Sequence, residues 1–200
     1  MNGSTVAIRH AAPVRHGRPT LPGDGEVPYV QVDLAAETGP IRVRLAGVAT
    51  GPATTAYAWL AEAEPPPAAG VPLVLGRQGS WRLHVDLGRT PDVVTLVGAL
   101  DDCRSLAAAF ARQLLSDGIG VAVVGDALGS AAFDGCRSVT AYPDPGDELS
   151  GPSVVIAAGL PEGGMAGVHE LVAVTGGRCV PLLIGMVPSS RWSVQVGVLA

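Results

Sequence analysis

Two hundred residues, 48% hydrophobic and only 16% charged, exclude a generally disordered chain and supply a core for one ordinary domain, or one domain with a small appendage. A net charge of −5 offers no basic footprint for nucleic acid or anionic lipid, so neither is expected as a partner. All thirteen basic residues are arginine, which removes the lysine Schiff base, the lysine general base and the phosphate-loop lysine from the available chemistry.

Residues 1–26 carry Gly, Pro, Arg and His without periodicity and are expected to form a flexible tail. VPYVQVDL and PIRVRLAG then alternate apolar and polar residues around the turn ETGP, which predicts a β-hairpin with Ile41, Val43 and Leu45 on one face. AYAWL reads as a third short strand. EAEPPPAAG reads as a stiff Pro-rich linker, and VPLVLG and WRLHVDL as a second hairpin around RQGS. His84, alternating with Leu83 and Val85, is expected to face solvent or to be a satisfied sheet residue.

From Pro91 the pattern changes to apolar strands separated by helix-length segments, as in an α/β domain with a buried parallel sheet. The strands are VVTLVG, GVAVVG, SVTAY, SVVIAAG, CVPLLIGMV and WSVQVGVL. Asp101 or Asp102 is expected to cap a helix whose inner face carries Leu106, Phe110 and Leu114 and which Gly118 ends. A second helix is expected around Met165–Val174, with Val168, Leu171 and Val172 inward and Gly176-Gly177 as terminator. Trp59, Trp81 and Trp192 fall on strands and read as packing residues.

Cys103, Cys136 and Cys179 form no C-x-x-C pair, so neither a zinc site nor a disulfide framework is indicated, and no run approaches the length of a membrane span. A cytoplasmic protein with no direct membrane insertion is expected.

The segment VVTLVGALDDCRSLAAAF has the outline of a phosphate-binding loop. Against G-x-x-x-x-G-K-[ST], Gly98 takes the first glycine and Ser105 the last hydroxyl, while Cys103 replaces the second glycine and Arg104 the lysine. Asp101 and Asp102 lie where phosphate oxygens would sit; at roughly 5 Å and an effective dielectric of about 20, each carboxylate costs on the order of 3 kcal/mol per unit of phosphate charge.

From about Val71 onward the order of these features resembles the nucleotide-binding core of FtsK-type motor ATPases, including type VII secretion motors and related actinobacterial proteins. WRLHVDLGRTPDVVTLVG supplies the family's lead-in, with Asp86 and Leu87 in the expected places, and GALDDCRS stands at the loop. The Walker B strand, V-V-I-D-[DE] in the family, is matched by Val154-Val155-Ile156-Ala157-Ala158, with both acids replaced by alanine. Gly185 and Met186 stand where the resemblance places a polar sensor. The resemblance implies a mostly parallel P-loop-like sheet flanked by helices over 71–200; alternation and Pro content place a small antiparallel β region over 27–62 and a linker over 63–70 before it. It also implies a degenerate, non-catalytic module that serves as a structural or protein-binding component, with no cofactor and with magnesium-ATP binding not expected. The alternative readings are a nucleotide-binding module without hydrolysis, held by Gly98, Arg104 and Ser105, and an enzyme with an unrelated site at the sheet's carboxyl edge near Asp126 or His169. An unrelated α/β domain with a chance glycine at a strand end is also compatible with the residues.

Overall fold

The computed structural model describes residues 29–46, 56–65, 70–90, 93–144, 151–188 and 190–197. The expected tail over 1–26 lies outside them, as do residues 66–69 of the Pro-rich stretch. In chain order the strands are β1 (Tyr29–Ala36), β2 (Gly39–Ala46), β3 (Tyr57–Ala61), β4 (Pro72–Gln78), β5 (Trp81–Asp86), β6 (Val94–Val97), β7 (Gly120–Val124), β8 (Arg137–Val139), β9 (Ser153–Ala157), β10 (Cys179–Ile184) and β11 (Trp192–Val196). The α-helices are α1 (Leu100–Ser116) and α2 (Gly164–Val174).

All eleven strands join one sheet in the order β3-β5-β4-β1-β2-β11-β6-β10-β9-β7-β8. Five of its neighbouring pairs are antiparallel, from β3 across to β11, and five are parallel, from β11 across to β8. The chain is therefore mixed α/β, and the expectation of a mostly parallel sheet is corrected. The two hairpins, instead of standing apart, extend the sheet through β2, which pairs antiparallel with β11 along Ile41↔Val196 to Leu45↔Trp192.

The two halves differ because their faces are covered differently. In β9, Val154 and Ile156 pack into the core shared with α1, while Val155 and Ala157 pack on the other face with Leu171 and Val168 of α2. A strand buried on both faces must be apolar throughout, which is why β9 and β10 read as continuous aliphatic runs. β2 keeps one face wet and alternates, with Ile41, Val43 and Leu45 buried and Arg42 and Arg44 less so. Arg42 donates from Nε and Nη2 to the Asp33 carboxylate across the hairpin, at 2.7 and 3.0 Å.

α1 buries Leu106, Phe110 and Leu114 as expected, together with Cys103 and the alanines between. Its N-cap is Ala99, with no side-chain cap bond, so the capping role expected of Asp101 or Asp102 is corrected: both lie inside the first helical turn. α2 turns Val168 and Leu171 inward and leaves Val172 half-buried. It ends where Gly176 and Gly177 adopt positive φ and Gly177 N–H returns to Val172 O at 2.8 Å. Among the described residues, no helix is long and apolar enough to cross a membrane.

His84 departs from expectation. It is only 5% exposed, lining a pocket between β4, β5 and α1 together with Leu106, Phe110 and Gln113, and its Nε2 is buried without a hydrogen-bond partner. Burial pushes the imidazole below its ordinary pKa; the charges of Asp86 and Asp117 oppose that shift and Arg82 adds to it. As the pH falls through about 6.5 the unfolded chain takes up a proton that the folded chain still refuses, so stability drops from there down to the folded pKa. We expect His84→Leu to melt higher than the wild type at mildly acidic pH and to flatten the profile. Parallel melting curves for the two proteins between neutral and acidic pH would contradict this.

Candidate functional site

The carboxyl ends of β6, β10, β9 and β7 lie side by side and share one edge of the parallel half. In open α/β sheets, ligands are bound in a crevice outside such an edge. Here a cleft of about 750 Å³ opens between the ends of β7 and β9 and the middle of α2, with the segment after β8 as its far wall.

β6 passes into α1 through two residues only, Gly98 and Ala99. Gly98 has φ 156°, and a Cβ built there would meet the Val196 carbonyl oxygen of β11 at 2.8 Å. The glycine is thus explained by the close approach of a neighbouring strand. The residues aligned with the phosphate loop, Asp101 to Ser105, are already helical, and the Cys103 N–H is spent on Ala99 O at 3.0 Å. The loop position assigned to GALDDCRS is corrected accordingly. A phosphate cradle needs several backbone N–H groups turned toward a common centre, and a two-residue connection leaves no arc of chain to present them.

Gly98, Arg104 and Ser105 are not brought together on a common point. Arg104 leans across to the end of β7, where Nη2 donates to Asp126 O at 3.2 Å and lies 3.6 Å from Asp126 Oδ2; Nη1 is 3.7 Å from Asp101 Oδ1. Its Nε is buried without a partner. The pairing expected with Asp101 or Asp102 is thus made with Asp101 and shared with Asp126. Ser105 Oγ donates back to Asp101 O, one turn earlier, at 2.8 Å, which occupies the hydroxyl within the helix. The Cys103 thiol is buried, and burial first, then the charge of Asp102, raises its pKa, which is the reverse of an activated nucleophile.

On the opposite side, Ala157 ends β9 in the core and Ala158 is exposed at the cleft, so the end of this strand presents no acid to it. Tyr142, which sequence reading did not single out, closes the far wall: its hydroxyl donates to Gly159 O at 2.6 Å, and burial raises its pKa. Among the described residues, the cleft lining holds one cation, Arg104, and four carboxylates, Asp126, Asp144, Glu162 and Glu170, for a formal charge of −3. Among the described residues, no group of three or more His, Cys, Asp and Glu is arranged to hold a metal ion. His169 is exposed on α2 and does not line the cleft.

Asp86, the lead-in residue of the resemblance, has a structural role. Its Oδ1 accepts the Val71 N–H at 2.9 Å and the Gly88 N–H at 3.0 Å, and its Oδ2 lies 3.2 Å from Arg89 Nε. It therefore ties the start of β4 to the turn that feeds β6. No family model matches the chain, and neither a curated protein nor a solved structure shows significant similarity to it.

Proposed function

We propose that this chain is a degenerate P-loop-like domain that has no catalytic role and acts as a structural or partner-binding component of a larger cytoplasmic assembly, of the kind to which FtsK-type secretion motors belong. The observation that carries this reading is the two-residue passage from β6 to α1, which is too short to turn several backbone N–H groups toward a bound phosphate. The surrounding charge supports it. A triphosphate entering the cleft would face four carboxylates, and the guanidinium that could offset them is engaged by Asp101 and Asp126. The parallel half supports the P-loop-like part of the reading, since β6 lies inside that half and its carboxyl end shares an edge with that of β9.

Calorimetric titration with ATP, with and without magnesium, paired with a phosphate-release assay, tests it. The expected result is no saturable heat and no release above background. Micromolar binding with turnover would remove the proposal. Saturable binding without turnover that disappears in Arg104→Ala would instead establish a nucleotide-holding module.

A further inference from the structure

The same edge carries a second feature. Of the large apolar side chains exposed among the described residues, Leu100 (51%), Leu160 (39%) and Met186 (79%) follow β6, β9 and β10. Those strands are adjacent in the order β6-β10-β9, so the three residues follow neighbouring strand ends, Leu160 and Met186 in loops and Leu100 at the first position of α1. The last register pair of β10 and β9 is Leu183↔Ala157, and each of Met186 and Leu160 follows its own member of that pair by three residues. A working phosphate site needs polar donors along this rim, and aliphatic side chains there gain nothing from solvent.

Next to this row is the acidic cleft. Glu162 follows Leu160 by two residues, Asp101 follows Leu100 directly, and Asp126 and Glu170 complete an exposed ring of carboxylates. Arginines Arg137, Arg178 and Arg191 sit instead at the opposite edge, at the amino ends of β8, β10 and β11. The parallel half is therefore polarised, acidic and apolar at its carboxyl edge and richer in arginine at its amino edge. An apolar row bordered by one sign of charge is matched by a chain that supplies aliphatic side chains and the opposite sign.

We propose that the carboxyl edge is the docking surface for a basic segment of a partner protein, whose aliphatic side chains cover Leu100, Met186 and Leu160 while its arginines or lysines enter the cleft. The ammonium or guanidinium groups pair with Glu162 and Glu170, which line the cleft beside Leu160. This rests on the reading of the domain as a partner-binding component and adds where, and with what chemistry, the partner binds.

A short synthetic peptide of alternating arginine and leucine serves as probe, titrated by calorimetry into the full chain at low and at high salt. The expected result is binding that weakens with salt and falls at least about tenfold in Leu160→Ser/Met186→Ser and again in Glu162→Gln/Glu170→Gln. A charge-matched control at the other edge, Asp117→Asn/Asp134→Asn, should bind as the wild type does. The glutamate-for-arginine version of the peptide should not bind. Equal binding to all variants, or binding of both peptides, would overturn the proposal. So would a dimer in sedimentation that Met186→Ser abolishes, since the row is then the seat of a second copy. Turnover of magnesium-ATP removes the functional reading itself, whereas indifference of the peptide to these variants removes only this surface.

Discussion

Replacing Trp192 with alanine is expected to lower the free energy of unfolding by about 3–5 kcal/mol, a large share of the ~5–15 kcal/mol that holds an ordinary domain together. The indole has no exposed surface, and Nε1 donates to Ala46 O at 3.2 Å. Its ring meets Tyr57 edge-on, with centroids 6.3 Å apart and planes at 67°. The residue also occupies the seam of the sheet, paired with Leu45 of antiparallel β2 on one side and Val94 of parallel β6 on the other. Truncation therefore opens a cavity and removes a side-chain hydrogen bond to β2 at the strand that joins the two halves. Trp192→Phe keeps an aromatic ring but loses the hydrogen bond, and should cost roughly 1–3 kcal/mol. Urea denaturation followed by circular dichroism and by the fluorescence of the remaining tryptophans measures both. Because β11 is bonded to each half along its length, both probes should report one transition in the wild type. Two separated transitions would show that the hairpins and the parallel half fold independently.

The elements themselves were legible, because each has a local cause. β9 and β10 announce themselves as aliphatic runs, β2 by its alternation, and α1 by Leu106, Phe110 and Leu114 on one face. What periodicity could not reveal is adjacency. Nothing local in PIRVRLAG says that it will pair with a strand near the far end of the chain, and that pairing is what turns an appended hairpin into half of an eleven-stranded sheet.

The burial of His84 is hidden from sequence for the same reason, since alternation within β5 carries no trace of the α1 residues that share its pocket. The start of α1 was misread because a loop template was laid over a helical sequence. LDDCRSLAA has no internal glycine to break it, and two carboxylates in the first turn favour a helix beginning there. The apolar row of Leu100, Met186 and Leu160 lay in plain sight at three strand ends, but only the order β6-β10-β9 makes them neighbours.

Gly98→Ala separates the two explanations of the glycine with which a phosphate loop would begin. If Gly98 existed for a phosphate, alanine would abolish a ligand effect and leave the unliganded protein nearly as stable as before. The structure gives it another purpose. At φ 156° an L-residue is strained by about 1–3 kcal/mol, and the added Cβ must displace the Val196 carbonyl, 2.8 Å away on a strand already paired with β6. A main-chain oxygen held in a ladder cannot rotate aside as a flexible side chain can, so strand and loop must shift together, at a further cost of about 1–3 kcal/mol. The expected total is about 2–6 kcal/mol, measured by chemical denaturation in buffer free of nucleotide and phosphate. Gly125→Ala supplies the control. That residue, just past β7, also has positive φ, at 55°, but a Cβ there meets nothing within 4 Å, so only the backbone strain of about 1–2 kcal/mol remains. A Gly98→Ala protein no less stable than Gly125→Ala would mean that β11 does not dictate the glycine. A larger loss in the absence of any ligand would mean that this turn is kept for the packing of β6 against β11.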